Sequence, residues 1–183
     1  MNKKIAPEDL KAWRKFTSSK ETIEKYCLNI VDFLNAKNVK LIIIACNTAS
    51  AIALDAIQKH TRTPILNVID PCVQVAAANR KSNSIGIIGT RTTIISKSYE
   101  KKIKHINNQA KVYSQECSLF VPIIEESLTN HKIAQVAVQL YLNKLPKTLN
   151  TLILGCTHYP LIESKISSFY KKDIKIISAL KYI

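Results

Sequence analysis

The sequence predicts an α/β fold in which parallel strands alternate with helices. Short aliphatic runs recur along the 183-residue chain, and segments of helical periodicity follow them. Strands that alternate with helices in this way are typical of parallel sheets flanked by helices. Two of the runs end at a cysteine, Cys46 and Cys156, in nearly identical surroundings. This repetition predicts two pseudo-symmetric lobes, each with its own sheet.

The strands are predicted where aliphatic and β-branched residues cluster, because strands buried on both faces carry apolar side chains almost continuously. In parallel sheets, ligands bind at the carboxyl ends of the strands. Cys46 and Cys156 each follow a predicted strand directly, so both are expected at such an edge. In chain order the predicted strands are 39–45, 65–69, 84–89, 111–114, 151–155 and 174–177.

The helices are predicted from apolar residues at three- and four-residue spacing. The first begins at a capping box, with Ser18 as the cap and Glu21 reaching back, and runs to about Ala36. Cys27 lies on the apolar stripe of this helix and is predicted to be a core residue. The other predicted helices are 48–60, 73–79, 93–107, 122–128, 132–143 and 161–169.

A boundary near residues 80–83 divides the chain into the two predicted lobes. Residues 1–80 then form a first lobe that carries Cys46, and residues 81–183 form a second lobe that carries Cys156. Each lobe contributes one thiol, so the pattern predicts a shared site in a cleft between the lobes.

The net charge of +14, from 27 Lys and Arg against 13 Asp and Glu, raises the question of nucleic-acid binding. However, 23 of the basic residues are lysines scattered along the chain. No segment interleaves arginine with aromatic side chains, as a stacking platform for bases requires. We therefore interpret the charge as a solvated surface, and salt-dependent binding to duplex DNA is the test of the alternative.

The sequence also argues against several other classes of protein. No aliphatic run is long enough to span a bilayer, and no secretory signal is visible, so we expect no membrane partner and a cytoplasmic location. The five cysteines form no CxxC pair, which argues against a disulfide framework. Cys156 and His158 are too close together for the usual spacing of zinc ligands, so no metal site is predicted.

The two cysteines suggest acid–base chemistry from two sides of one small substrate. A thiol at a helix amino terminus has its thiolate stabilised by backbone N–H groups, which lowers its pKa. Two such thiols on opposite faces of a carbon can remove a proton from one face and return it to the other. This is racemisation or epimerisation without a cofactor. A lone cysteine after an aliphatic run is usually a packing residue, but the matched pair and the nearby His158 favour a catalytic role.

The segments Ala45-Cys46-Asn47-Thr48-Ala49 and Leu154-Gly155-Cys156-Thr157-His158-Tyr159-Pro160 resemble the two signature segments of glutamate racemase, a cofactor-independent aspartate/glutamate racemase. The family fold has two α/β lobes with the active site between them, so the resemblance implies the same architecture here. The resemblance extends over about 19–177 and includes 64–71, 85–90 and 117–126.

The resemblance also implies roles for individual residues and a small-molecule substrate. Cys46 and Cys156 match the two catalytic thiols, one acting as base and the other as acid in each direction. Glu125 falls where the family has a glutamate near the site, and His158 matches a residue that tunes Cys156. The matched substrate-contacting residues are Asn47, Thr48, Thr157 and His158. The implied reaction interconverts L- and D-glutamate and supplies peptidoglycan synthesis in a bacterium.

Both ends of the sequence depart from the family pattern. The family opens with a strand that ends in Asp-Ser-Gly-x-Gly-Gly, and this sequence has no such segment. Lys15 and Phe16 stand where the family has Tyr-Gly, and the last family helices are not found after Ile183. We therefore expect a racemase truncated at both ends, with an incomplete first lobe. Trp13 is expected to cover part of the apolar surface that the missing strand would leave.

Three questions stay open at the level of sequence. The apolar surface of an incomplete lobe leaves room for a homodimer. The truncation leaves room for an inactive remnant of a racemase as well as for an active enzyme. The substrate could be aspartate instead of glutamate, because the segments that would help to select the side chain are not found.

Overall fold

The computed structural model describes residues 19–78, 84–170 and 174–181 of the chain. In these ranges it contains two parallel sheets, one of two strands and one of four, with helices packed against them. The predicted α/β fold class with parallel sheets flanked by helices is therefore confirmed. In the same ranges, no helix combines the length and the apolar character needed to cross a membrane.

The first sheet is small and is covered on one face. Strands β1 (Ile42–Ile44) and β2 (Ile65–Asn67) pair in parallel, with Ile43 opposite Leu66. Ile42 and Ile44 alternate with Ile43 along β1, so they point to the face that packs against the helices. Those helices are α1 (Lys20–Asn35), α2 (Asn47–Ile52) and α3 (Leu54–His60).

The second sheet is larger and has four strands, β3 (Ser84–Gly89), β4 (Lys111–Glu116), β5 (Thr151–Gly155) and β6 (Lys175–Ser178). They are all parallel and lie in the order β4-β3-β5-β6. The two central strands, β3 and β5, consist almost entirely of buried residues, as expected of strands with helices on both faces.

Helices pack on both faces of this sheet. They are α4 (Ile69–Ala77), α5 (Arg91–Ile95), α6 (Ser98–Ile106), α7 (Phe120–Glu125), α8 (Lys132–Leu142) and α9 (Glu163–Tyr170). Successive residues of β5 point to opposite faces, so Leu152 and Leu154 belong to the core under α7, α8 and α9, whereas Ile153 belongs to the core under α4 and α6. Short 3-10 turns occupy Leu128–Asn130, Tyr159–Ile162 and Ala179–Lys181.

Helix α4 connects the two sheets physically. It follows β2 along the chain, yet Cys72, Val73 and Ala76 pack with Ile85 and Ile153 of the second sheet. The helix that follows the first sheet is therefore part of the core of the second sheet. The predicted boundary between lobes of residues 1–80 and 81–183 falls mainly in 79–83, outside the described residues, and it stays a prediction.

The start of the first helix differs from the predicted capping box. Ser19, not Ser18, is the N-cap, and its Oγ accepts a hydrogen bond from the backbone N–H of Thr22 at 3.4 Å. Ser18 itself lies outside the described residues. The prediction that Cys27 is a core residue is confirmed, because the side chain is buried with Ile23 in the first core.

Two helices predicted as continuous are each broken into two. The segment predicted as 48–60 divides at Ala53, which is fully buried where α2 ends and α3 begins. The segment predicted as 93–107 divides at Lys97, whose φ of 54° is left-handed. Ser96 explains the second break, because its Oγ donates to the Thr93 carbonyl and accepts from the Ser98 N–H in competition with the helix backbone.

Several predicted element ends are also corrected. Strand β2 ends at Asn67 instead of 69 because the Asn67 Oδ1 accepts the N–H groups of Ile69 and Asp70, both at 3.0 Å, and so starts α4 early. Strand β4 extends to Glu116, which pairs with Gly89. Strand β1 is shorter than the predicted strand 39–45. Helix α7 starts and ends earlier than the predicted helix 122–128. Helix α9 starts later than the predicted helix 161–169, because a 3-10 turn precedes it. The predicted bounds of β3 and β5 are confirmed.

On the face of the first sheet opposite helices α1, α2 and α3, apolar side chains are exposed. Ile43 is 48% exposed and Leu66, its partner across the two strands, is 52% exposed. Leu41, just before β1, is also exposed. Trp13, which we expected to cover such a surface, lies outside the described residues, and the homodimer stays a prediction.

Gly155 is expected to tolerate no side chain, because β5 and β3 approach closely beside it. A Cβ on Gly155 would lie 2.8 Å from the backbone oxygen of Ile88, which cannot move without disturbing the sheet. We expect Gly155→Ala to lower the free energy of unfolding by about 1–3 kcal/mol, as overpacking in a core does. Urea unfolding followed by circular dichroism measures this.

Gly86→Ala is the matched control for this substitution. Gly86 lies on the neighbouring strand β3, but a Cβ there would meet only the ends of the Leu149 and Leu152 side chains, which can rotate. Gly86→Ala is therefore expected to lower the free energy of unfolding less than Gly155→Ala does. A Gly155→Ala variant as stable as Gly86→Ala would contradict this account of the strand contact.

Candidate active site

Cys46 lies at the junction of strand β1 and helix α2. It is the N-cap residue of α2, and its carbonyl accepts the first helical hydrogen bond, from the Ser50 N–H at 2.9 Å. The Ser50 hydroxyl donates in turn to the Ile44 carbonyl at 3.0 Å, which ties the helix start to the strand end. The cysteine is half-buried and free. Its place at a strand's carboxyl end and a helix start is the one that the sequence predicts.

Cys156 lies at the corresponding end of strand β5, with one difference in local structure. The chain after it forms the 3-10 turn Tyr159–Ile162, and α9 begins only at Glu163. The backbone N–H groups of His158 and Tyr159 approach the sulfur closely enough to lower the pKa of Cys156. The N–H groups near the Cys156 sulfur therefore belong to a tight turn and not to the predicted helix amino terminus.

Burial outweighs these N–H groups at Cys156. The side chain is only 7% exposed, and its removal from water raises the pKa of the Cys156 thiol to about 11. The prediction of a lowered pKa is therefore wrong for Cys156 in the free protein. The physical reason is that two hydrogen bonds to the thiolate replace only part of the hydration that a buried sulfur loses. At neutral pH this residue carries its proton.

The two thiols lie near enough to influence each other. A negative charge on Cys46 raises the pKa of Cys156, although the two residues follow strands of different sheets. Such an effect weakens with distance, so the two residues, 110 positions apart in the sequence, lie within reach of each other's charge. The shared site between them stays a prediction.

His158 connects Cys156 with Glu125. The His158 Nδ1 lies 3.8 Å from the Cys156 sulfur, and the Nε2 lies 3.4 Å from Oε1 of Glu125 at the end of α7. The imidazole thus stands between a thiol and a carboxylate, with one ring nitrogen facing each. This arrangement can move a proton to or from the thiol and can stabilise a positive charge on the ring.

Asn47 and Thr48 each contact a residue of the second sheet's helices. Asn47 is 3% exposed, and its Oδ1 accepts a hydrogen bond of 2.6 Å from the Tyr99 hydroxyl. The Thr48 hydroxyl lies 3.0 Å from the Thr90 hydroxyl and 3.2 Å from the Thr93 hydroxyl. These contacts fix the start of α2 against α5 and α6, on the side of the site that carries Cys46.

Thr157 is placed differently from the other predicted residues. It follows Cys156 at the carboxyl end of β5, and its side chain is exposed. The sequence did not single out Thr90, Thr93 or Tyr99 for the site. The hydroxyl-rich segment 90–93 directly after β3 is the signal that could have identified the two threonines, because it also follows a strand's carboxyl end.

Two other features bear on the chemistry of the site. Among the described residues, no group of three or more His, Cys, Asp or Glu side chains could hold a metal ion. Cys72 and Cys117 are fully buried, and burial raises the pKa of the Cys72 thiol to about 11 and that of Cys117 still further. Their position in the core is that of packing residues.

Comparison with known proteins identifies the family. Residues 7–181 match the model of the Asp/Glu/Hydantoin racemase family. The chain belongs to this family. The predicted resemblance to the aspartate/glutamate racemases is therefore confirmed, and the chain is a member of a family of isomerases.

Individual members of this racemase family are similar in sequence and structure. A glutamate racemase of Geobacter metallireducens is 42% identical over 164 residues, which are 89% of this chain and 61% of that protein. The crystal structure of Francisella tularensis glutamate racemase in complex with D-glutamate has a TM-score of 0.82 at 39% identity, covering 88% of this chain and 60% of that one. The Bacillus anthracis isoform RacE1 has a TM-score of 0.84 at 36% identity, covering 90% and 62%. The chain thus spans about three fifths of the length of these relatives.

Proposed function

We propose that this racemase-family chain interconverts L- and D-glutamate by a two-base mechanism in which Cys46 and Cys156 are the catalytic thiols. The observation that supports the proposal is that both thiols follow the carboxyl ends of parallel strands, in two segments that Tyr99 joins by its hydrogen bond to Asn47 and its contact with Gly155. Glutamate is favoured as the substrate because the similar relatives are glutamate racemases and one of them holds D-glutamate in its crystal structure.

The reaction needs one proton to leave Cα and another to return from the opposite face. In one direction the thiolate of Cys46 removes the Cα proton, and the Cys156 thiol donates its proton to the planar carbanion. In the other direction the roles reverse, so no net proton is gained or lost over a full cycle. The buried Cys156, protonated at neutral pH, is suited to begin as the acid.

The neighbouring side chains have supporting roles in this proposal. His158, between the Cys156 sulfur and Glu125, stabilises the Cys156 thiolate when that residue acts as base. Asn47, Thr48, Thr157 and His158 supply donors to the substrate carboxylates. The net charge of +14 attracts the anionic substrate. The D-glutamate formed supplies peptidoglycan synthesis in the cytoplasm of a bacterium.

Hydrogen exchange at Cα tests the proposed reaction directly. Purified protein is incubated in D2O with L-glutamate or D-glutamate. Proton NMR follows the signal of the Cα proton, and circular dichroism follows the ellipticity of the glutamate. We expect deuterium at Cα and loss of optical activity from both enantiomers. Parallel reactions with aspartate separate an aspartate racemase from a glutamate racemase. Glutamate that keeps its Cα proton through long incubation would reject the proposal for this chain.

The Glu125 carboxylate is expected to contribute a modest part of the rate. Glu125→Gln keeps the shape of the side chain but removes the charge that faces the His158 Nε2 at 3.4 Å. An ion pair at a partly exposed position contributes up to about 1 kcal/mol, so we expect kcat for exchange to fall about fivefold. Initial rates at saturating glutamate measure the effect.

Glu126→Gln is the control, because Glu126 is the adjacent exposed acid. The substitution removes the same charge from the chain. It is expected to leave the rate unchanged. Equal losses from the two substitutions would mean that overall charge matters instead of the contact between Glu125 and His158.

A further inference from the structure

One tyrosine contacts both cysteine segments. Tyr99, on helix α6, is 2% exposed, and its hydroxyl donates to Oδ1 of Asn47, the residue after Cys46. Its ring packs against Gly155, the residue before Cys156, where an added Cβ would lie 3.3 Å from Cε2 of Tyr99. A single rigid side chain thus spans the two strand ends that present the thiols.

The hydrogen bond from Tyr99 decides which end of the Asn47 amide is free. A side-chain amide has an acceptor oxygen and a donor nitrogen, and the Tyr99 hydroxyl occupies the oxygen. The Nδ2 group is buried and has no hydrogen-bond partner in the described part of the chain. A buried donor without a partner is costly, and a carboxylate oxygen is the acceptor that would satisfy it best.

We propose that Tyr99 is a positioning residue of the racemase site, which holds the Asn47 oxygen so that Nδ2 stays available to a carboxylate oxygen of glutamate. This inference rests on the proposed function. If the amide turned over, its oxygen would meet the substrate carboxylate and repel it. In this role Tyr99 acts on substrate binding through Asn47.

The surroundings of Tyr99 keep its hydroxyl in the donor role. Burial holds the pKa of the Tyr99 hydroxyl well above its usual value, so the group is protonated at neutral pH. The hydroxyl therefore has a proton to donate to the Asn47 oxygen.

Tyr99→Phe removes the hydroxyl and keeps the ring against Gly155. We expect the KM for glutamate to rise about tenfold, as the loss of an oriented donor to a charged group predicts, while kcat changes less than about threefold. The matched control is Tyr141→Phe, which removes another buried hydroxyl, one that accepts the Leu119 N–H at 3.1 Å. The control is expected to leave KM unchanged.

Two further measurements separate positioning from a merely structural role. In the Asn47→Ala background, Tyr99→Phe is expected to raise KM less than about twofold further, because both changes remove the same interaction. Selective 15N-asparagine labelling, with Asn47→Ala for assignment, follows the Nδ2 signal of Asn47 by NMR. That signal is expected to shift in Tyr99→Phe but not in Tyr141→Phe, and also when glutamate is added to the wild-type chain.

The outcomes distinguish this inference from the proposed function. A wild-type chain that neither exchanges Cα hydrogen nor shifts the Asn47 signal with glutamate would overturn the proposed function and the substrate role of Nδ2 with it. An active wild type with an unchanged KM in Tyr99→Phe, additive losses with Asn47→Ala, or an unmoved Asn47 signal in Tyr99→Phe would overturn the inference alone.

Discussion

Replacement of either Cys46 or Cys156 by serine is expected to abolish glutamate racemisation. A serine hydroxyl at its ordinary pKa is a far weaker base than a thiolate, and general acid–base groups contribute about 10²–10⁴-fold to a rate. We therefore expect each variant to exchange the Cα proton roughly a thousandfold more slowly than the wild-type chain. The D2O experiment with each glutamate enantiomer measures this for both variants.

The fold is expected to survive both substitutions, because a serine side chain is close to a cysteine in size and shape. Cys156 belongs to the core of the second sheet, whereas Cys46 is half-buried, so Cys156→Ser is expected to lower the free energy of unfolding more than Cys46→Ser does. Far-ultraviolet circular dichroism and urea unfolding check this. Cys27→Ala is the control for the general effect of losing a thiol, since Cys27 packs in the first core. It is expected to keep exchange within about threefold of wild type. A Cys46→Ser or Cys156→Ser variant with more than a tenth of wild-type exchange would rule out the two-thiol mechanism.

The sequence predicted the thiol pair because its signal is local and repeated. Cys46 and Cys156 each follow an aliphatic strand, and the carboxyl ends of parallel strands are where ligands bind. The same reasoning placed His158 beside Cys156, and in the structure the His158 Nδ1 lies near the Cys156 sulfur. Strands β3 and β5 matched their predicted bounds because both are buried on both faces, so their apolar runs begin and end sharply.

Other features could not be predicted because they depend on tertiary contacts. The hydrogen bond between Tyr99 and Asn47 joins residues 52 positions apart, and neither residue carries a local sign of the other. The contact of Thr48 with Thr90 and Thr93 is of the same kind. The raised pKa of Cys156 follows from how completely the assembled fold excludes water, which the turn sequence does not reveal.

The stability of the chain is expected to fall steeply above pH 9. Burial raises the pKa of Cys27, Cys72 and Cys156 from about 9 to about 11, and that of Cys117 in the same direction. Between these values the unfolded chain loses thiol protons that the folded chain retains. A group with a raised folded-state pKa stabilises the fold fully below the unfolded pKa, and this contribution disappears as pH rises through the folded pKa.

The size of this effect is comparable with the whole stability of an ordinary domain. A pKa raised from about 9 to about 11 corresponds to about 3 kcal/mol for each buried thiol. Small domains have unfolding free energies of about 5–15 kcal/mol. The loss of protons from three or four such thiols can therefore offset most of this stability. We therefore expect the chain to unfold near pH 11 without denaturant. Urea unfolding in reducing buffer at pH 7.5, 9, 10 and 10.5 measures the decline.

Comparison of Cys72→Ala with Val73→Ala tests whether thiols cause the decline. Both residues are buried on α4, so each substitution lowers stability at neutral pH by removing core packing. Only Cys72→Ala also removes a titrating group, so its stability is expected to fall less between pH 9 and 10.5 than that of the wild type. Val73→Ala is expected to follow the wild-type slope from a lower starting value. Parallel curves for all three proteins would show that the buried thiols do not govern alkaline unfolding, because a lost proton-binding group must flatten the dependence on pH.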